Sequence, residues 1–566
     1  MLELLDFSKK YDEVTLKELI EEQKRSGKLS EEMCASIREK DILRFLNTPV
    51  GERMHRAAVR GTLWAEQPFV LGVPSQEVYP EQTEEVQRKL EEIKYKNVNP
   101  ESIRVIEPCS GSGHILVYVM DLLYKMYEEK GYNKRNIPTL ILKNNLVGLD
   151  VDKRAAQLAS FALVMKARTL NNRFFRQEYY TLPQVYELQE SREMEALNFR
   201  KHMKELDEFS DAEISAVAEL VKTFENGKTI GSLIKVPDLD YAAIETVIDK
   251  LEHKVVPTTF NAYFVSDGAT QLKILLNQAK VLSSKYDVMI TNPPYASISK
   301  MEDSVKEYPA ICYPNSKSDM FAMFMETGFV KQNGLTAMIN MHSWMFLSSF
   351  SKLREALLYT DEVITLAHLG AQAFEEISGE VVQTVSFVMR KTHIQSITMV
   401  CDRLVDCGGS TEKESAFLEK AHRFYSKRES FNIIYGKPYA YWMSESALSK
   451  FRNKNLGSIA EIVSGMTTGN NDIYLKAWTE LDYTTIAFHQ KSVEDIDLSK
   501  TKWIPYHKGG GMRKWYGNHE YVVNWSRSKE FNRAKTTMTH VYLKPCITWS
   551  DISGTSFAGR YCFGGF

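Results

Sequence analysis

Cysteine is sparse in this 566-residue sequence: seven residues, at positions 34, 109, 312, 401, 407, 546 and 562. They are odd in number, scattered and never spaced Cys-x-x-Cys, which argues against a zinc knuckle or a disulfide framework and for a reducing cytoplasm. No run of about 18 apolar residues occurs, so the sequence offers no membrane-spanning helix. The first residues, MLELLDFSKKYDEV, lack the basic stretch and apolar core of a secretory signal. Charge of one sign is not in excess either. Lys and Arg number 71 against 73 Asp and Glu, the net charge is −2, and the pI is about 6.7. A strongly cationic coat is excluded, while a local basic face is not. Repeats of 20–50 residues and low-complexity tracts are missing as well. What is present is 43% hydrophobic and 25% charged residues, and at roughly 100–200 residues per domain the length predicts about three to five units.

Residues 8–46 read as amphipathic helices, with Leu16, Leu19 and Ile20 forming an apolar stripe and Ser30 as a helix start. Past Arg104 the pattern changes to short apolar runs alternating with helices. The runs are IRVIE (103–107), NLVGLDVD (145–152), VYELQ (185–189), YDVMITNPPY (286–295) and LTAMINM (335–341), followed by VITLAHL and VVQTVSFVMRK. Such alternation predicts a doubly wound α/β domain around a parallel sheet, with the last two runs as a terminal antiparallel hairpin. Residues 192–255 interrupt it with charged helical sequence, read as an insertion lying on the main domain. From about residue 410 the chain becomes irregular, aromatic and Gly-rich, which predicts a second domain over 411–566 after a main domain over 86–410.

Three strand ends carry the chemistry. Glu107 closes the first run, and Cys109-Ser110-Gly111-Ser112-Gly113 then opens a helix; glycines there let backbone approach a ligand or merely make a tight turn. Asp150 closes the second run, where an acidic side chain can accept ribose hydroxyl protons, and Asp152 is placed to cap the following helix. Asn292-Pro293-Pro294-Tyr295 follows the strand YDVMIT. Two prolines stiffen that loop and donate no backbone hydrogen bond. An amide oxygen (Asn292), a free carbonyl (Pro293) and a stacking ring (Tyr295) in fixed relation suit an exocyclic amino group. A dehydrogenase would share the glycine loop and Asp150 but has no use for such a clamp.

On these motifs the sequence resembles the gamma-class adenine-N6 DNA methyltransferases, and more closely those of BREX phage-defence systems. EPCSGSGHILVYVMDLLYKMYEEKGY, VGLDVDKRAAQLASFALVMKAR, KYDVMITNPPY, SDMFAMFMETGFVKQNG and KWIPYHKGGGMRKWYGN are all similar to stretches of that group, from about residue 86 to 566. The resemblance implies a Rossmann-like class I methyltransferase fold and S-adenosylmethionine bound at Glu107, Gly111, Gly113 and Asp150. A third cofactor motif falls at Glu190 or Ser191, with Asp267 as the rival position. Asn292, Pro293, Pro294 and Tyr295 receive a flipped-out adenine, since the target nitrogen cannot be reached inside the stack. Where that group often has Asp, this chain has Glu107. Asp319 and Phe321 match the helix after the catalytic loop, with Phe321 expected in the core. The reaction needs no metal, and no ligand cluster is visible.

GSIAEIVSGMTTGNNDIYL (457–475) is similar to the opening of a target-recognition domain. Residues 500–544 gather Lys500, Lys502, Lys508, Arg513, Lys514, Arg527, Lys529, Arg533, Lys535 and Lys544 around Trp503, Trp515, Tyr516 and Trp525, a composition suited to phosphate contacts on double-stranded DNA. The partners expected are DNA and other phage-defence proteins, with no membrane. Lys508-Gly509-Gly510-Gly511 lacks the rest of a phosphate-loop motif. Residues 1–84 do not resemble this group. TLKELIEEQKRSGKLSEEMCASIREKDILRFLNTPVGERM and WAEQPFVLGVPSQEVYPE are similar instead to part of the helicase–nuclease AddA. The two resemblances together imply a junction near residue 85, a helical segment over 1–85 foreign to the methyltransferases, and a partial recognition domain that runs on past Phe566.

Overall fold

In the computed structural model of the protein, residues 9–25, 39–47, 82–176, 178–192, 194, 199–205, 208–253, 259–298, 303–373, 382–532, 536–550 and 557–564 are described. The chain forms two compact units, Met1–Arg452 and Asn453–Phe566. No described helix is long and apolar enough to cross a membrane.

The first unit is built on nine strands: β1 (Val105–Glu107), β2 (Leu146–Asp150), β3 (Gln184–Glu187), β4 (Tyr286–Thr291), β5 (Val330–Met341), β6 (Glu362–Gly370), β7 (Thr384–Arg390), β8 (Thr398–Arg403) and β9 (Arg423–Lys427). Their order is β3-β2-β1-β4-β5-β7-β6-β8-β9. β1 pairs in parallel with both β2 and β4, and β4 with β5, while β7 runs antiparallel to its neighbours β5 and β6. Chain order reverses between β1 and β4, so the crevice beyond their carboxyl ends is a topological switch point, where open α/β sheets bind ligands. The expected β6–β7 antiparallel pair is present, but β7 lies inside the sheet and β8 and β9 extend it.

Burial on both faces explains the apolar runs. Val105 and Leu146 face Leu116, Met120, Leu123 and Leu163 on the helices His114–Glu129 and Lys153–Leu170. Ile106, Val147 and Met289 face the opposite layer. There the insertion contributes the helices Asp211–Thr223 and Tyr241–Glu252, whose Val217, Leu220, Val247 and Leu251 join Leu272, Leu275 and Ala279 of the long helix Thr259–Ser283 in one core. Helices of the charged 192–255 segment thus pack into the core of the first unit. Asp152 caps its helix, accepting the Arg154 and Ala155 N–H groups at 2.6 and 3.2 Å.

The expected boundary at 410 does not coincide with the break between the units. β9 pairs with β8 from Thr398↔Lys427 to Asp402↔Arg423, extending the sheet beyond that point. Further on, buried Arg354 donates to the carbonyls of Trp344, Leu347, Gly436 and Lys437, and Tyr439 and Tyr441 enter the main core. The aromatic, irregular stretch after 410 belongs to this core, and the unit ends at Arg452. At the amino-terminal side, the helices Glu13–Arg25 and Glu39–Leu46 pack through Leu16, Ile20, Leu43 and Leu46, while Ser30 lies outside the described residues. The helix Glu84–Ile93 buries Val86 against Ile394 and Ile397, and Gln82 exchanges two hydrogen bonds with the Thr398 backbone.

The second unit holds a three-stranded antiparallel sheet in the order β10 (Leu475–Ala477), β12 (Tyr521–Asn524), β11 (Trp503–Tyr506), and a separate pair, β13 (Cys546–Thr548) with β14 (Arg560–Cys562). Its core gathers Met466, Tyr474, Ile504, Val523, Trp525, Phe531 and Tyr542.

Candidate active site

Glu107 ends β1 and is 1% exposed. Burial, opposed by a hydrogen bond from the Leu116 backbone, pushes its carboxyl well above the ordinary range, and the nearby Asp150 charge adds to the effect. Its Oε2 is buried without a partner. A buried carboxylate with an unused oxygen is costly unless a cation meets it, so this carboxyl fits the ammonium end of an amino-acid-bearing cofactor. Ser110 Oγ, which the sequence did not single out, is also buried and unpartnered.

The two glycines have different duties. Gly111 has φ +50, its position faces open space, and its N–H donates to Asp150 Oδ2 at 2.8 Å. Gly113 has φ +87, and a Cβ there would stand 2.8 Å from Ala159 Cα and Cβ. It lets the loop press on the helix Lys153–Leu170. Asp150 Oδ1 accepts from the Asp152 N–H at 2.8 Å. Its carboxylate therefore ties the two loops together and keeps lone pairs for a further donor.

Asn292 leaves β4, the strand next to β1, with its side chain exposed; Pro293 is buried, Pro294 exposed and Tyr295 half-buried. The Tyr295 hydroxyl lies 3.0 Å from both Asn292 Oδ1 and the Ile339 carbonyl. Burial raises its pKa, keeping the phenol a donor. The ring stands edge-on to Phe321, with centroids 6.2 Å apart. Phe321 is 1% exposed, a core residue as expected, and Asp319 caps its helix while burial raises the Asp319 carboxyl. The loop is fastened further on, where the Met320 N–H donates to the Ala296 carbonyl at 3.0 Å.

The two candidate positions for a third cofactor motif differ sharply. Glu190 follows β3 at the same sheet edge, 3.8 Å from the Arg192 guanidinium, whereas the neighbouring Ser191 hydroxyl is spent on the Val221 carbonyl. Asp267 lies within the helix Thr259–Ser283, bonded to Gln271, and at no strand end. Nothing in the residue pattern signals a strap that the insertion also provides. Lys228 Nζ donates to the Val151 carbonyl and to Glu187 at 2.8 and 2.5 Å, and the Ser232 hydroxyl donates to the Pro108 carbonyl. The Leu233 carbonyl accepts from Tyr313 and Tyr308 at 2.7 and 3.2 Å. The strap thus crosses the carboxyl ends of β1, β2 and β3 and reaches the helix Asp303–Cys312.

In the second unit, Trp525 is buried and Trp503 half-buried, while Trp515 and Tyr516 are 82% and 67% exposed beside exposed Arg513 and Lys514. Lys500 pairs with Asp497 and Arg527 with Glu530. Arg533 and Lys535 lie outside the described residues.

A mainly parallel sheet with a glycine loop after β1, an acidic end to β2 and Asn-Pro-Pro-Tyr after β4 defines the class: the first unit has the fold of class I S-adenosylmethionine-dependent methyltransferases. Residues 144–374 match the Eco57I restriction-modification methylase family. The chain is 38% identical over 511 residues to the adenine-specific methyltransferase BrxX of Escherichia coli O9:H4 (strain HS), covering 86% of this chain and 41% of BrxX. It is 38% identical over 504 residues to the adenine-specific methyltransferase PglX of Lacticaseibacillus casei (strain Zhang), covering 82% and 40% respectively. The chain is a homologue of these adenine-specific methyltransferases and spans about two fifths of their length. A stretch of 78 residues, 14% of the chain, is 35% identical to 6% of an ATP-dependent helicase/nuclease of Lachnoclostridium phytofermentans (strain ATCC 700394 / DSM 18823 / ISDg). A looser likeness to the DNA-bound Type ISP restriction-modification enzyme LlaBIII adds nothing to the assignment: TM-score 0.43, 10% identity, 93% of this chain and 35% of that one.

Proposed function

We propose that this chain is the methyltransferase portion of a site-specific adenine-N6 DNA methyltransferase of phage defence, using S-adenosylmethionine as methyl donor. The observation that carries the reading is Asn292-Pro293-Pro294-Tyr295 at the end of β4, directly beside the strand that ends in the buried, half-satisfied Glu107. Glu107 and the Gly111 loop would hold the cofactor's amino-acid end, Asp150 its ribose and the Glu190 loop its adenine. Gly113 serves by setting the loop against its helix.

Bound there, S-adenosylmethionine supplies an electrophilic methyl group on a sulfonium centre. The chain's own residues prepare the nucleophile. Asn292 Oδ1 and the Pro293 carbonyl accept the two hydrogens of the target amino group, which leaves the nitrogen lone pair free for in-line attack without a covalent enzyme intermediate. The Tyr295 ring stacks on the extruded base, a contact worth about 1–3 kcal/mol, and its hydroxyl steadies Asn292. Arg513, Lys514, Trp515 and Tyr516 of the second unit form the proposed contact to double-stranded DNA.

The test is calorimetric titration with S-adenosylmethionine, followed by transfer of labelled methyl to duplex DNA, with Asn292→Ala alongside. Binding by both proteins and transfer by the unsubstituted chain alone is the expected result. Binding without transfer would support an inactive fragment that keeps the fold, and absence of binding would reject the reading.

A further inference from the structure

Three metal-ligating side chains of the second unit converge, and a fourth faces one of them across a strand pair. His507 follows β11, His519 precedes β12, and Cys562 ends β14. One ligand atom from each of the three lies within 4.8 Å of the others. Cys546, on β13, is the register partner of Cys562, and facing residues of an antiparallel pair hold their Cβ atoms about 4.5–5.5 Å apart, within reach of one ion. Neither thiol is in a disulfide.

We infer that His507, His519, Cys546 and Cys562 bind a zinc ion that clips the loop Lys508–Asn518 at its base to the β13–β14 pair. Two imidazoles and two thiols are a donor set that selects zinc over harder cations. The His507 imidazole is posed for it. His507 Nε2 is 2.9 Å from the Gly564 carbonyl, which can only accept, so that nitrogen carries the proton and Nδ1 presents its lone pair. This is the backbone-carbonyl support that metal-bound histidines commonly have. Nδ1 of His507 faces Nδ1 of His519 at 3.2 Å. Tetrahedral zinc with Zn–N of about 2.0–2.1 Å holds two nitrogens roughly 3.3 Å apart. One ion between them would take both lone pairs.

The clip has an evident object. Between the two histidines the loop projects Met512, Trp515 and Tyr516, which are 56%, 82% and 67% exposed. Trp515 has φ +72, an unusual backbone for a bulky residue, and is held there by exchange with β14: its N–H donates to the Gly559 carbonyl and its carbonyl accepts from the Tyr561 N–H, each at 2.9 Å. An ion joining His507 and His519 to β13–β14 fixes both ends of the segment that carries this ring. The metal site stands on its own geometry, and only its use in presenting Trp515 to DNA rests on the proposed function. No close Cys or His spacing marks the site in the sequence, because its ligands meet across strands.

The experiment measures zinc by mass spectrometry in the full chain expressed with zinc and purified without chelators. About one ion per chain is expected, retained in Cys312→Ser and lost in Cys562→Ser and His519→Ala. Because these variants could misfold, the unsubstituted chain is also stripped with a strong chelator and probed with trypsin. Faster cleavage after Arg513 and Lys514, reversed by added zinc, supports the clip. Cobalt substitution should give the visible bands of a tetrahedral thiolate site. Substoichiometric zinc, zinc unaffected by both substitutions, cleavage unchanged by chelation, or a Cys546–Cys562 disulfide in protein kept under reductant would each overturn it. Zinc bound as expected in a chain that fails to bind DNA would sustain the site and refute only its proposed use.

Discussion

Replacing Gly111 and Gly113 one at a time separates a glycine facing open space, the proposed cofactor side, from a packing glycine within one loop. Both residues have positive φ, so alanine at either carries left-handed strain of about 1–2 kcal/mol. At Gly111 nothing lies within 4 Å of the added methyl group, and the strain is the whole effect on stability. At Gly113 the methyl would stand 2.8 Å from Ala159 Cα and Cβ, so the helix Lys153–Leu170 must shift. Overpacking of that kind adds about 1–3 kcal/mol, giving a total of roughly 2–5 kcal/mol. Urea denaturation of the first unit should rank the unsubstituted chain above Gly111→Ala, and that above Gly113→Ala. Adding Ala159→Gly should return part of the loss in Gly113→Ala and none in Gly111→Ala. Titration should invert the ranking of damage. Gly111→Ala fills the open side of the loop and loses cofactor affinity beyond its loss of stability. Equal stability of the two variants, or unchanged affinity in Gly111→Ala, would refute the division of labour.

Other expectations follow from single interactions. Tyr295→Phe removes the hydroxyl shared by Asn292 and the Ile339 carbonyl, so methyl transfer should fall by up to about tenfold, the equivalent of 0.5–1.5 kcal/mol, with cofactor binding unchanged; an unaltered rate would show that the hydroxyl does not position Asn292. Asp402 and Arg423, 5% and 8% exposed, form a bidentate pair between β8 and β9. Asp402→Ala should destabilise the first unit by about 3–5 kcal/mol, and a shift below about 1 kcal/mol in denaturation would contradict the buried pairing. Burial, reinforced by the neighbouring His342, lowers the His368 pKa from 6.5 to about 3, and the ring bonds Tyr441 and His342. Because the folded value lies below the unfolded one, this stabilisation is full above about pH 6.5 and drains as pH falls toward 3, by up to about 1.4 kcal/mol per unit. Denaturation midpoints between pH 7 and 4 should fall more steeply for the unsubstituted chain than for His368→Gln, and parallel curves would refute the assignment.

Much of the sheet was legible because its strands are buried on both faces and so read as apolar runs: Glu362–Gly370 is buried at every position. The glycine loop, Asp150 and the Asn-Pro-Pro-Tyr loop were legible because their residue types are unusual where they stand. The boundary after 410 was not, since Tyr439 and Tyr441 look like domain surface or core alike until their partners Trp344 and Phe424 are known. Glu190 and Asp267 were inseparable by composition, and only the helix around Asp267 distinguishes their surroundings. The strap over 227–235 was invisible for another reason: its bonds run mostly to backbone carbonyls, which every residue has, and Gly227 matters only because a Cβ there would meet the Gln189 carbonyl at 2.2 Å.

That strap also bears on when the crevice can exist. Ser232 reaches back 124 residues to Pro108, Lys228 reaches back 41 to Glu187, and Tyr313 reaches back 80 to close on Leu233. Contacts so distant in sequence form only after the entropy of long loops has been overcome, and they slow the step that makes them. On a chain emerging from the ribosome, β1 and β2 can pair well before Lys228 and Ser232 are made to bridge their carboxyl ends, and the far side of the strap stays unanchored until Tyr313 is made. Assembly of the rim is therefore a late event, and nascent chains arrested before Tyr313 should carry a sheet without a finished crevice.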